Sequence, residues 1–375
     1  MDNYIDHHND TQKSFKNIFA YILEKGKTTR REIQKDTNYS WSSVSSVVSV
    51  LINKGLVYET ESIHYKVGRG TSYIVPNGNK FVSIGVDMNS IGFSLIVIGI
   101  DGDKKYEEKF DYKENTKEYT LNLLLEVINK GIQFAKDKYT VVCIGVSCQG
   151  HVDVPTHSTL EKFPFCQDIE NFNVKEFVEN KFHIYTYVEH DTRCVLEDFR
   201  VHYNEIPLPV CIFRVVSGIG FAITVNDQMF DEPLWPMDFG HMIVHPNGEI
   251  CSCGKKGCLE AYASTTGICR RAGVKDFSII DSNRDKYRDI LNDAGYYLGV
   301  AAANMIRIFG ARNIILTGKA INNDATLIDK IISAYKQYEP EERAKIIYID
   351  DLSPSYGVAR LAFKEKNNNG GSFND

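Results

Sequence analysis

Apolar residues at Ile18, Phe19, Ile22 and Leu23 in "NIFAYILEKGK" recur at the spacing of one helical face, and Gly26 stops the run. In "TTRREIQKDTNYS", Thr29 offers an N-cap with Glu32 three residues on, the reciprocal pairing of a capping box. Ser40 can cap a third helix, "WSSVSSVVSVLINKG", with Val44, Val47, Val48 and Leu51 as its buried stripe and its serines mostly opposite. "LVYETESIHYKVGRGTSYIVP" then alternates as a β-hairpin with a turn near Glu61-Ser62. Three short helices and a hairpin predict a winged helix-turn-helix. A generic helical interaction module would share the helices but not the wing.

From Phe81 the rhythm changes. "FVSIGVDMNSIGFSLIVIGIDGD" predicts two strands of a hairpin with Asp101-Gly102 at its tip. "YTVVCIGVSCQGHVD" predicts a buried strand ending at Gly150, and "HIYTYVEHDTRCVLEDF" a strand running into a helix at Asp191. "PVCIFRVVSGIGFAITVND" reads as a second strand pair around Ser217-Gly220, and "AGYYLGVAAANMIRIFGARNIILTGKAI" as helix, strand and glycine turn. Strands alternating with helices predict an α/β body, and the repeated order predicts two lobes with a cleft.

Charge separates the two parts. Thr11–Gly70 holds ten Lys/Arg and five Asp/Glu, a balance of +5 on a chain of net −6, so the remainder carries −11. A basic module on an acidic body points to a polyanion met by the first part alone, although a solvated lysine-rich face gives the same count. In that module Arg30 and Arg31 are candidates for phosphate contacts. Ser40, Trp41, Ser42, Ser43, Ser45 and Ser46 on the third helix could reach bases and phosphates, and Arg69 beyond the wing could enter a minor groove. The third helix has no basic residue before Lys54, so it offers no arginine-to-guanine contact. No apolar run approaches the ~18 residues of a membrane span, and the acidic start is no secretory signal, so a cytoplasmic protein is expected.

Nine cysteines, an odd number, make a disulfide framework an unsuitable reading, and three of them crowd into "CSCGKKGCLEAY". His241 precedes Cys251 by ten positions, giving H-x9-C-x-C-x4-C over His241, Cys251, Cys253 and Cys258. Three thiolates and an imidazole are a closed structural zinc set, and Gly254 and Gly257 let the chain double back. Free thiols or a redox pair are the alternative, but no pair has the C-x-x-C spacing of redox sites.

"GHMIVHPNGEICSCGKKGCLEAYAS" resembles the signature of the ROK family (repressors, open reading frames and sugar kinases), which pairs a glycine-histidine with a CxCGxxGCxE zinc loop. The resemblance extends over Asn17–Pro76, similar to the family's winged-helix module, and Phe81–Lys364, similar to its sugar-kinase-like body. It implies a two-lobed actin-like ATPase (ribonuclease H-like) fold. The expected domains are 11–80 for the winged helix-turn-helix, 81–195 with about 350–366 for a small lobe, and 196–349 for a large lobe with the zinc site.

Against that resemblance the nucleotide elements are degraded. The family's D-x-G-G-T is here Asp87-Met88-Asn89-Ser90-Ile91, its G-T-G-I-G is Val216-Ser217-Gly218-Ile219-Gly220, and its L-G-G is Thr317-Gly318-Lys319. Side chains replacing glycines crowd a phosphate, so ATP and Mg²⁺ are not expected as cofactors. The sugar side is better kept. The resemblance implies sugar contacts from Gly150, His190, Asp191, Asp238, His241 and Glu260. Asp191 falls at the catalytic base, vestigial here, while His190 and Asp238 depart from the family's asparagine and glutamate. Read alone, Asp191 could be a helix cap and Glu260 a capping carboxylate.

A sensor needs the hydroxyl-binding groups but not the triphosphate turns. The expectation is a transcriptional regulator, a repressor of sugar-metabolism genes, that binds a sugar or sugar phosphate, without kinase activity. It would act as a homodimer or tetramer on a palindromic operator, with structural zinc as its cofactor. An active sugar kinase with a DNA-binding arm and a ligand-independent regulator are the alternatives.

Overall fold

The computed structural model describes residues 2–60, 72–150, 168–226 and 238–369, with short stretches between 152 and 166 and at 228–230. The chain divides into two compact units, Met1–His190 with Pro354–Asp375, and Asp191–Ser353.

The first unit begins with α1 (Asp2–Lys25), α2 (Arg30–Thr37) and α3 (Trp41–Asn53), followed by an antiparallel pair, β1 (Val57–Glu59) and β2 (Ile74–Pro76). Both expected caps form. Thr29 Oγ1 accepts from Glu32 N–H at 3.2 Å while Thr29 N–H donates to Glu32 Oε2 at 2.8 Å. Ser40 Oγ accepts from Ser43 N–H at 3.1 Å. Ile18, Phe19, Ile22, Ile33, Val44, Val48, Leu51 and Leu56 are buried together, so the helical stripes read from the sequence are this module's core. The expected turn at Glu61-Ser62 lies outside the described residues.

Next come β3 (Phe81–Asn89), β4 (Gly92–Gly99), β5 (Lys104–Asp111), α4 (Lys117–Ala135), β6 (Thr140–Cys148), β7 (Val152–Asp153), β8 (Ser158–Thr159), α5 (Val174–Phe182) and β9 (Thr186–His190). The sheet runs β5-β4-β3-β6-β9. The expected hairpin is a three-stranded meander. Its first turn is Asn89–Gly92, closed by Ile91 N–H donating to Asn89 Oδ1 at 3.0 Å, and Asp101-Gly102 instead links β4 to a third strand. The sequence concealed this because β5, KKYEEKFD, is polar on its exposed face.

The second unit holds α6 (Asp191–His202), β10 (Val210–Val215), β11 (Ile219–Val225), β12 (Gln228–Met229), α7 (Leu259–Ala263), α8 (Thr265–Ala272), α9 (Phe277–Asp281), α10 (Arg288–Phe309), β13 (Asn313–Thr317), α11 (Ala325–Tyr338) and β14 (Lys345–Tyr348). Its sheet runs β12-β11-β10-β13-β14. The two sheets share one plan: three strands meander antiparallel, the fourth pairs parallel with the first, and the fifth pairs parallel with the fourth. This doubled sheet is the expected α/β architecture. The first large strand–helix crossing into the second unit falls at His190/Asp191, five residues before the boundary expected from the sequence, because α6 packs on β10 and β11 from its first turn.

From Ser353 the chain returns to the first unit as α12 (Pro354–Asn368), which lies on β3 and β6 and also touches α1. Phe19 and Phe363 meet edge to face at 6.0 Å. Asn367 Nδ2 donates to Lys16 O at 3.1 Å, and Lys16 Nζ to Asn368 O at 2.9 Å. The winged helix, expected as a separate domain, therefore packs into the first unit. No helix among the described residues is long and apolar enough to cross a membrane.

Candidate functional site

His241, Cys251, Cys253 and Cys258 converge, with their ligand atoms all within 4.8 Å of one another. Cys253 Sγ and Cys258 Sγ are 3.7 Å apart, and Cys251 Sγ lies 3.5 Å from His241 Nδ1. A tetrahedral zinc with bonds of ~2.3 Å to sulfur and ~2.0 Å to nitrogen has edges of about 3.8 and 3.5 Å. The donor set and its spacing fit a closed metal site. The loop reaches this shape through Gly257, at φ 83°, where a Cβ would stand 2.0 Å from His245 O. His241 ends a 3-10 turn, Phe239–His241, whose N–H donates to Asp238 O at 2.9 Å.

Glu260, in the first turn of α7, faces the turn between β10 and β11. Its Oε2 accepts from Ile219 N–H at 3.2 Å and its Oε1 from Ser252 Oγ at 3.2 Å. The carboxylate therefore joins the cysteine loop to the Ser217–Gly220 turn.

Asp191 is the first residue of α6 and is 4% exposed. Thr192 Oγ1 donates to its Oδ1 at 3.0 Å, and its Oδ2 is ion-paired with Arg214 Nη1. Arg214 lies on β10, opposite Gly220 of β11 and Thr317 of β13. Alternation puts it on the face of Val210 and Ile212, which pack with Val195, Leu196 and Phe199 of α6. Gly220 is needed here: a Cβ would sit 1.9 Å from Thr192 Oγ1. Further along α6, burial pushes Asp198 up to about 6, although its carboxylate accepts from Ser353 N–H at 2.6 Å and lies 2.7 Å from His202 Nδ1.

In the first unit Asp87 is 2% exposed. Ser147 Oγ donates to its Oδ1 at 2.7 Å and Asn89 Nδ2 to its Oδ2 at 2.9 Å. Ser147 stands beside Asp87 in the β3–β6 register. The Asp87 carboxylate is thus tied internally on both oxygens, by Ser147 and Asn89.

Of the residues expected at the sugar, Gly150 (φ 87°) and His190, the last residue of β9, belong to the first unit. Asp191, Asp238, His241 and Glu260 belong to the second, where Glu260 and His241 are gathered around the cysteine loop. On α3, Trp41, Ser42 and Ser46 are exposed, and Ser43 and Ser45 half-buried. Arg31 is exposed, whereas Arg30 Nη1 is ion-paired with Glu59 on β1. Arg69 lies outside the described residues. Sequence reasoning missed Arg214, Thr192 and Ser147. One signal was present: a lone arginine in the apolar strand "VCIFRVV" must find a partner if buried.

Residues 83–359 match the profile described as the ROK family. The chain is 25% identical over 338 residues to the xylose repressor of Bacillus spizizenii, covering 84% of each chain. It is 25% identical over 337 residues to the DNA-binding transcriptional dual regulator NagC of Escherichia coli, covering 84% of this chain and 82% of that one. Among solved structures, a ROK family transcriptional regulator homologous to the E. coli MLC protein superposes with a TM-score of 0.79 at 19% identity, over 96% of this chain and 97% of that one. A ROK hexokinase from Thermus thermophilus gives 0.65 at 19% identity, over 76% of this chain and 99% of its own.

Proposed function

The chain belongs to the ROK family, and from that premise we propose that it is a DNA-binding transcriptional repressor whose body binds a sugar without phosphorylating it. The observation that carries the reading is the ion pair between Asp191 and Arg214. A general base must accept a proton from its substrate, and a carboxylate already held by a guanidinium and a hydroxyl is poorly placed to do so. Asp87 is tied by Ser147 and Asn89, and Ile219 N–H by Glu260, so the groups that a kinase would use for magnesium and phosphate are engaged by protein partners, while Asp191 can still accept a sugar hydroxyl without taking its proton.

The N-terminal module supports the regulatory half. It has the helix order and wing of a helix-turn-helix, with the hydroxyl-rich side of α3 and Arg31 open to a partner. In this reading His241, Cys251, Cys253 and Cys258 hold a structural zinc, Gly150, His190, Asp191, Asp238, His241 and Glu260 face the sugar, and two copies meet a palindromic operator in the cytoplasm. Sugar binding shifts the population between DNA-competent and incompetent states.

ATP consumption over a panel of sugars tests the enzymatic half. No turnover above background is expected. Turnover that disappears in Asp191→Asn would establish a kinase instead.

A further inference from the structure

Resting on the DNA-binding reading above and deepening it, we propose that α3 recognises its operator chiefly through thymine methyl groups. Trp41 is the side chain that reads them.

α3 holds no charged residue over its whole length, Trp41–Asn53. Its outer face consists of two neighbouring rows at i, i+4 spacing: Trp41, Ser45 and Ser49, and Ser42, Ser46 and Val50. Ser45 is half-buried and the other five are exposed. Trp41 is 49% exposed, and no hydrogen bond or ring contact with a described residue engages its indole. Charge around this face decides what covers it. Arg31 and Lys35 on α2 are exposed, while the acidic residues of that helix, Glu32 and Asp36, are held by Thr29 and Tyr21. With Thr11–Gly70 carrying +5, the occupant is a polyanion, and α3 is the element that meets its bases.

The side chains of that face set which bases it tells apart. In the major groove guanine is read by arginine or lysine, adenine by asparagine or glutamine, cytosine by a carboxylate, and thymine by apolar contact with its methyl group. α3 has none of the first three kinds before Asn53, its last residue. Its serines discriminate little, because a hydroxyl both donates and accepts. Several are also engaged within the helix: Ser40 Oγ lies 2.9 Å from both Ser42 Oγ and Ser43 Oγ, and Ser49 Oγ donates to Ser45 O at 2.8 Å. Apolar contact is the remaining mode, and the exposed apolar residues of α3 are Trp41 and Val50. Trp41 opens the helix, at the end that contacts base edges in helix-turn-helix docking, whereas Val50 lies nine residues on. Trp41 therefore meets the methyl groups.

The test selects duplexes from a random pool with the full chain, then resynthesises a selected duplex with each thymine in turn replaced by deoxyuridine, which removes the methyl and nothing else. At the positions α3 covers in each half-site, that loss should weaken binding about fourfold, the effect of burying one methyl. Trp41→Ala should bind the thymine and uracil duplexes alike, and Trp41→Phe should keep part of the difference. Trp41 lies outside the buried core of its module, so both variants should fold, and the comparison on the native chain stands without them. Equal affinity of the native chain for thymine and uracil duplexes at every position overturns the proposal while leaving the DNA-binding reading in place. A methyl effect that persists undiminished in Trp41→Ala does the same. A pool from which the full chain selects no duplex overturns both.

Discussion

Asp198 shows how a single buried carboxyl can be read through pH. It is 3% exposed, and burial raises it to about 6 from the ordinary 3.8, against the opposing pull of Ser353 N–H and the His202 ring. Between roughly pH 4 and 6 the folded chain therefore keeps a proton that the unfolded chain has released. Its contribution to stability is complete below pH 4, falls as pH rises through 6, and changes no further above. Asp198→Asn removes the titration. Urea unfolding at pH 4.5 and 6.5 should show the native chain losing about 2 kcal/mol more than the variant over that interval. Equal losses in the two proteins would show that Asp198 is not held in this state. The same logic of partners governs Asp87 and Asp191, whose charges are met by Ser147 and Asn89 and by Arg214 and Thr192.

Among the elements, the cysteine loop depends most on something other than its own packing. Between His241 and Leu259 it forms no helix or named strand; isolated bridges pair Ile243 with Cys258 and Ile250 with Lys256. Its own apolar packing is a small cluster of Cys251, Cys258, Ala261 and Tyr262 with Val244 and Tyr297 against it, so a metal bound by the four ligands would add much to its stability. Stripping metal with a strong chelator should lower the melting temperature by roughly 10 °C, about 3 kcal/mol for a unit of this size, and added zinc should restore it. An unchanged melting curve in a sample shown to be metal-free would refute the structural role. Glu260 extends the consequence, because it carries the loop's position to the Ser217–Gly220 turn through Ile219 N–H.

For the whole molecule, charge and architecture point the same way. The segment Thr11–Gly70 carries +5 while the rest carries −11, so a polyanion is attracted to one end and repelled by the body. Binding to an operator duplex should weaken steeply with salt, and Arg31→Ala should reduce the slope of log K against log salt by about 1 without changing which sequence is preferred. A slope that stays the same removes Arg31 from the interface. The α1–α12 contacts through Phe19, Phe363, Lys16 and Asn367 fix the winged helix to the first unit, so any effect of ligand on DNA must reach it as a property of that unit.

Much of this was legible in the chain itself. The capping box at Thr29 and Glu32, the stripe of Val44, Val47, Val48 and Leu51, and the spacing of His241, Cys251, Cys253 and Cys258 all form as read. Each is set by residues near one another in sequence, where helical period, cap chemistry and ligand spacing leave few choices. The meander of β3, β4 and β5 was less visible, since the turn at Asn89 rests on one side chain and the edge strand is polar. Only the tertiary structure decided what the surviving acidic groups do. Asp87 meets Ser147 across 60 residues, Asp191 meets Arg214 across 23, and Ile219 meets Glu260 across 41. Those partnerships follow from strand register and from how α6 and α7 seat on the sheet, which no local pattern encodes. The sequence by itself determined a zinc-type loop, a winged helix and a doubled α/β body; the packing of that body decided that its acidic groups answer to one another.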